Sequence, residues 1–126
     1  MARILSISYD TALLGTRHLL LERMGHTVTS VRGLRAAIAL CQKRGTEFNL
    51  IVIGHSMPRA QKLQMIECAR KYCRCPVLVL LRAGESPVPG ATHSVDPFEP
   101  EALIEAVEKM VGRGEMPVSQ PSDVPK

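Results

Sequence analysis

The chain has 126 residues, 45% of them apolar and only 3% aromatic, with no Trp. That length suits one domain with a real core, and so few aromatics argue against a stacking platform for single-stranded nucleic acid. The formal charge of +4 is uneven: residues 1–82 carry 13 Lys/Arg against 4 Asp/Glu, and residues 83–126 carry 3 against 8. The plain reading is two solvated faces, because charge at this level speaks to association and not to fold.

No apolar run approaches the ~20 residues of a membrane span, and Met1 to Tyr9 is too short and too polar for a secretory signal. A cytoplasmic location, with Cys41, Cys68, Cys73 and Cys75 as free thiols, is therefore expected.

Arg3 to Ser8 reads as a first strand. Asp10 is a good N-cap for a helix from Thr11 to Met24, with Leu13, Leu20 and Met24 on one face and Arg17 and Arg23 on the other; Gly25 supplies its stop. Thr27 to Val31 is a short β-branched strand. Leu34 to Lys43 reads as a second helix with Leu34, Ala37, Ile38 and Cys41 as its apolar stripe. Leu50-Ile51-Val52-Ile53 is wholly apolar and closed by Gly54 and Pro58, the pattern of a strand buried on both faces at the centre of a parallel sheet.

A third helix is expected from Arg59 to Tyr72, with Leu63, Ile66, Ala69 and Tyr72 or Cys73 inward. Pro76 opens a second apolar run, Val77 to Leu81, and Thr92 to Val95 fits a short last strand. Pro100 at a first helical position begins a final helix with Ala102, Leu103, Ala106, Val107 and Met110 on its inner face. Residues 1–112 make one domain, Gly112 ends the last helix, and residues 113–126, rich in Gly, Pro and Ser, read as a disordered tail. Strands alternating with helices imply right-handed crossovers and a parallel sheet covered on both sides.

Several landmarks in this order resemble the receiver domain of bacterial response regulators. They are Leu50 to Ile53 followed by Met57-Pro58; Leu63, Met65 and Ile66; Pro76 to Leu80; Gly90-Ala91; and Pro97-Phe98 with Pro100. The resemblance, over about residues 3–112, implies a flavodoxin-like α/β three-layer sandwich whose five-stranded parallel sheet runs 2-1-3-4-5. One element departs from it. Where the family fits a fourth helix, Arg82 to Pro89 holds one Gly and two Pro in eight residues and is expected to be a loop. A face near Val77, Val79 and Val95 would then be thinly covered: either the loop and tail fold over it or a partner does, and left uncovered it would be an association site, for a homodimer among other partners.

The resemblance also assigns the positions at which the family does its chemistry. In the family an aspartate ending the third strand accepts phosphate, and Gly54 stands there. Two acids ending the first strand hold Mg²⁺, and Ser8 and Tyr9 stand there. A Ser or Thr ends the fourth strand, where this chain has Leu81, and a Lys precedes the Pro-Phe pair, where it has Asp96. The family's Lys-Pro bond is usually cis, and a cis Asp96-Pro97 bond would cost little. Phosphoryl transfer needs an in-line nucleophilic oxygen, and Mg²⁺ needs several hard oxygen ligands. Neither set is present, so no metal, cofactor or catalytic residue is expected. Asp10, His55, Ser56 and Arg82 complete the candidate pocket.

The remaining chemistry-bearing residues have plain readings. His55 is a hydrogen-bonded or solvated loop side chain, and Ser8 and Ser56 satisfy local backbone. Cys68, Cys73 and Cys75 lack the second ligand pair of a zinc site and read as buried or half-buried free thiols, with metal binding or redox sensing as the alternative. Arg59, Lys62, Arg70, Lys71, Arg74 and Arg82 read as solvated, with no groove-entering element for nucleic acid. The function that follows is a non-phosphorylatable receiver-like module in two-component signalling. Its partner would be a histidine kinase, another receiver or an output protein, and neither nucleic acid nor membrane. The alternative is a small-molecule or redox sensor using the pocket at the carboxyl edge of the sheet; an enzyme ranks last.

Overall fold

The computed structural model describes residues 2–95 and 100–111. In chain order these form β1 (Arg3–Ser8), α1 (Thr11–Arg23), β2 (Thr27–Arg32), α2 (Leu34–Arg44), β3 (Leu50–Ile53), α3 (Arg59–Cys68), β4 (Val77–Leu80), β5 (His93–Val95) and α4 (Pro100–Val111). All pairings are parallel and the strand order is β2-β1-β3-β4-β5, the α/β flavodoxin-like arrangement expected. Among the described residues, no helix is long and apolar enough to cross a membrane.

Every residue of β3 and β4 is buried. Successive side chains of a strand point to opposite faces, so the two runs divide between two apolar layers. Leu5, Ile7, Ile51, Ile53, Val77 and Val79 meet residues of α2 and α3. Ile4, Leu50, Val52, Leu78 and Leu80 meet residues of α1 and α4. Full burial of one such aliphatic side chain contributes about 1.5–3 kcal/mol. A helix that puts a cation at a core-facing position forgoes that gain, and two helices here do so.

In α1 the buried residues are Leu14, Arg17 and Leu21, while Leu13 is 40% exposed. The apolar face is thus turned from the predicted one, and Arg17 lies inside it. In α3 the buried residues are Lys62, Met65, Ile66 and Cys68, while Leu63 is 42% exposed. The third helix runs about as far as predicted, but its last turn, Ala69–Cys73, widens from α to π. Arg74 then takes a left-handed conformation, φ +54°, and stops the helix. Asp10 caps α1 as expected, its Oδ1 accepting from the Leu13 N–H at 3.1 Å.

The segment between β4 and β5 is non-helical, as its Pro and Gly content requires. The face it borders is nevertheless closed. Val77, Val79 and Val95 are all under 10% exposed, and Val88 from the loop joins the same core as Val77 and Val79. Arg59 fastens the loop by donating to the Ser86 and Pro87 carbonyls at 2.9 and 3.1 Å. Of the two ways expected for this face to be covered, by the chain's own loop or by a partner, the described residues show the loop over Val77 and Val79. Asp96, the Asp96-Pro97 bond, Gly112 and the tail 113–126 lie outside the described residues.

Candidate functional site

Parallel strands of a sheet end on one side, and there the loops after β1, β3 and β4 converge. The Ser8 side chain is buried, with its Oγ 3.0 Å from Ser56 Oγ. Each hydroxyl also takes a backbone N–H: Asp10 N–H donates to Ser8, and Tyr9 N–H to Ser56, both at 3.0 Å. These serines satisfy local backbone, as serines at strand ends usually do. Tyr9 donates its O–H to Gln61 Oε1 at 2.6 Å and accepts from the Leu34 N–H at 3.2 Å. It supplies the cap that Gly33, the residue before α2, cannot. Its ring sits where a Cβ on Gly33 would fall, and Gly33 has φ +91°, so glycine is required there twice over.

Gly54 faces the α1 side of the sheet, and the space beside it is taken. A Cβ built on Gly54 would lie 2.9 Å from the Ile7 carbonyl oxygen, 3.0 Å from Arg17 Nη2 and 3.0 Å from Ser8 Oγ. The Gly54 N–H already donates to that carbonyl at 2.7 Å. Arg17 enters from α1, 6% exposed, donating from Nε to Ser6 Oγ at 2.9 Å and from Nη2 to the Ile7 carbonyl at 3.4 Å. Burial lowers its pKa to about 10, with the Asp10 charge opposing that, so the guanidinium stays charged at neutral pH. The end of β3 thus abuts a built-in cation.

A second buried cation stands at the end of β4. Lys62 is wholly buried; its Nζ donates to the Leu80 carbonyl at 3.1 Å and to Glu85 Oε1 at 2.6 Å. Glu85 also receives the Arg82 N–H at 2.8 Å and the Arg59 guanidinium at 3.1 Å. Burial opposes ionisation of Glu85. The Arg82 N–H, Lys62 and Arg59 outweigh it and hold the carboxyl below its ordinary value. Arg82 in turn donates to the His55 and Ser56 carbonyls at 3.0 and 2.9 Å, so the loops after β3 and β4 are tied together. Lys62 is therefore a buried tie and not the solvated cation its sequence setting suggests, and Arg82, though exposed, ties two loops together.

The structure brings Ser8, Tyr9, Asp10, Gly54, His55, Ser56 and Arg82 to this edge, as the sequence reading supposed. Leu81 is adjacent, half-buried, its N–H donating to the Val95 carbonyl. Asp96 is not among the described residues. Partial burial, then the nearby Arg17, hold the His55 imidazole below its ordinary pKa, with Asp10 pulling the other way and Lys62 and Arg82 adding to the depression. Arg17, Lys62 and Glu85 were the residues missed. Among the described residues no group of three or more His, Cys, Asp or Glu is arranged to hold a metal ion. An edge with these hydroxyls hydrogen-bonded and these cations paired can hold two loops together.

No family model matches the sequence, and no curated protein matches it. Solved structures do. A response regulator receiver domain protein from Clostridium thermocellum superposes with a TM-score of 0.77 at 18% identity, over 92% of this chain and 98% of that one. Chemotaxis protein CheY4 of Vibrio cholerae is similar at a TM-score of 0.73 and 26% identity, over 87% and 98%. A structure of histidine kinase ThkA in complex with response regulator TrrA matches at a TM-score of 0.71 and 19% identity, over 89% of this chain and all of the matched one.

Proposed function

We propose that this domain, a CheY-like receiver by its structural neighbours, works as a protein-interaction module in two-component signalling without being phosphorylated. The observation that carries the reading is the closure at Gly54. A receiver that takes phosphate needs a carboxylate nucleophile with room for an in-line attack. Here the residue ending β3 has no side chain, and Arg17, Ser8 and the Ile7 carbonyl fill the space that one would enter. The fold family implies Mg²⁺ as well, and the residues at hand do not fit it. Asp10 is the carboxylate on the loop after β1, its Oδ1 is engaged as a helix cap, and the neighbouring charges are Arg17, Lys62 and Arg82. Mg²⁺ asks for several oxygen ligands in near-octahedral array.

The same closure speaks against a small-molecule sensor at this edge. Its loops are pinned by Arg82 and by the Lys62–Glu85 pair, which favours a constant surface over a switching one. A ligand would move a two-state equilibrium only by its differential affinity for the two states. The partner class suggested by the kinase complex among the neighbours is a histidine kinase.

Incubation with acetyl phosphate and Mg²⁺, read by intact mass, is expected to give no acid-labile phosphoryl adduct. Binding to a histidine kinase, measured by calorimetry, is expected to be unchanged by that treatment. A stoichiometric adduct overturns the reading, as does an affinity that shifts tenfold on adding acetyl phosphate.

A further inference from the structure

The sheet has two edge strands, and β2 is the longer, with six residues against three in β5. Its hydrogen-bonding direction is fixed at both ends. Thr27 N–H donates to the Ala2 carbonyl and Gly33 N–H to the Ser8 carbonyl. Between them the register with β1 runs unbroken from Arg3↔Thr27 to Ser8↔Arg32. Backbone groups alternate in direction along a strand, so Thr27, Thr29 and Val31 bond to β1. The N–H and C=O groups of Val28, Ser30 and Arg32 therefore point to the open side, and among the described residues nothing bonds to them there. Such an edge is normally blunted by Pro, Lys, a bulge or a covering loop. The sequence Thr-Val-Thr-Ser-Val-Arg has neither Pro nor Lys, and its unbroken register leaves no bulge.

We propose that β2 pairs antiparallel with β2 of a second copy of this chain, about a two-fold axis at Ser30, so that two sheets become one. In an antiparallel pair, residues that face each other with outward amides exchange both hydrogen bonds. One register uses all three outward residues. Ser30 then faces Ser30 of the partner subunit, and Val28 faces Arg32 of the partner subunit. The surface is remote from Gly54, and the inference is independent of whether the domain takes phosphate.

Charge selects the same register. His18 Nδ1 is 2.7 Å from Ser30 Oγ, and its Nε2 is 3.1 Å from Glu22 Oε2. A helix that joins two parallel strands runs back against their direction. Glu22 thus lies one turn, about 5.4 Å, beyond His18 toward the start of β2. Two strand residues span about 6.6 Å, which puts Glu22 beside Val28, where the partner subunit's Arg32 arrives. Glu22 is 48% exposed. Arg32 is exposed and has no carboxylate at ion-pair distance among the described residues. The two-fold axis makes the Glu22–Arg32 contact twice, as a self-complementary interface requires. Ser30, on the axis, is short and already turned to His18, so the strands approach there without bulk.

The test combines sedimentation equilibrium of the full chain with hydrogen exchange at several concentrations. The expected result is a concentration-dependent dimer. Exchange at Val28, Ser30 and Arg32 should slow at least tenfold as the dimer forms, while Thr29 and Val31 are protected by β1 at every concentration. Glu22→Arg and Arg32→Glu should each weaken the dimer at least tenfold, and the two together should return it to within about threefold of the wild type, because the swap keeps opposite charges in contact. Both positions are exposed, so these variants are expected to melt with the wild type. Ser30→Pro removes an outward N–H and no bond to β1, a substitution edge strands tolerate, and should be monomeric. A chain that is monomeric at ~1 mM, or a dimer whose Val28, Ser30 and Arg32 amides exchange as fast as in the monomer, would overturn the proposal. So would single charge variants that dimerise like the wild type. Protection of the three amides that appears only on adding a histidine kinase would overturn it too, since that partner and not a second copy would then occupy the edge.

Discussion

Replacing Glu85 by alanine is expected to cost the fold about 3–5 kcal/mol, the size of effect seen when one partner of a buried ion pair is removed and the other stays. The variant would melt more than ~10 °C below the wild type for a domain of this length. The reason is the asymmetry of the pair. Lys62 is wholly buried, and without Glu85 its ammonium keeps only the Leu80 carbonyl. Glu85 without Lys62 is in a different position. It retains the Arg59 guanidinium and the Arg82 N–H and has some access to water. Lys62→Met should therefore be much milder than Glu85→Ala, since an apolar side chain of similar volume often replaces a buried ion at little cost. The double variant should recover most of what Glu85→Ala loses.

The pH dependence follows from the direction of the Glu85 shift. Its carboxyl is held below the ordinary value of 4.5 in the fold. Its contribution is thus complete above about that pH and is lost as pH falls through the folded value. Denaturant melts of the wild type should weaken on acidification below pH 4.5 more steeply than those of the Lys62→Met, Glu85→Gln double variant. Equal and small losses for Glu85→Ala and Lys62→Met would show that the pair does not hold the loop.

Both missed cations share a cause. The strands were legible because Leu50 to Ile53 and Val77 to Leu80 are apolar at every position, which two-sided burial demands. The α1 cap was legible because Asp10 is a side chain that bonds its own neighbourhood. The faces of α2 and α4, and Ile66, Ala69 and Cys73 of the third helix, were legible by helical spacing. The cations were not, because counting only apolar residues favours Leu13 with Leu20 and Met24 in one helix and Leu63 with Ile66, Ala69 and Cys73 in the other, and both Leu13 and Leu63 are exposed. The observed faces, Leu14-Arg17-Leu21 and Lys62-Met65-Ile66-Ala69-Cys73, obey the same helical spacing, but each includes a cation. What makes those cations tolerable lies far along the chain: Ser6 and Ile7 for Arg17, Leu80 and Glu85 for Lys62. No local pattern reports such a partner. The packing of the cysteines was hidden similarly. Cys41 sits on the preceding helix, and only the packing of α2 against α3 and the π turn puts it in one core with Cys68 and Cys73.

Arg17 also decides what Gly54→Asp can achieve, the substitution that would put a carboxylate back at the end of β3. Any Cβ at this position meets the Ile7 carbonyl at 2.9 Å. That oxygen cannot retreat, because β1 lies between β2 and β3 in the sheet and the carbonyl already accepts from Gly54. Gly54 is not among the glycines with positive φ, so the penalty is one of contact and not of backbone conformation. Gly54→Ala should thus cost about 1–3 kcal/mol, the usual range for overpacking.

Gly54→Asp brings the same Cβ but sets its carboxylate against the Arg17 guanidinium, where a charge-assisted hydrogen bond is worth about 1.5–3 kcal/mol. The aspartate variant should therefore melt above the alanine variant, the reverse of what burial of a charge alone would give. The interaction that rescues its stability also lowers its reactivity, because a carboxylate bound by an arginine is a poorer nucleophile. Acetyl phosphate and Mg²⁺ should leave Gly54→Asp unmodified by intact mass. Adding Arg17→Gln frees the carboxylate but leaves Ser8 and Tyr9 where a divalent ion would need acids, so it should not restore phosphorylation either. A phosphoryl adduct on Gly54→Asp alone would mean that the edge is open to phosphate after all, and that its closure by Arg17 is not what separates this domain from a phosphorylated receiver.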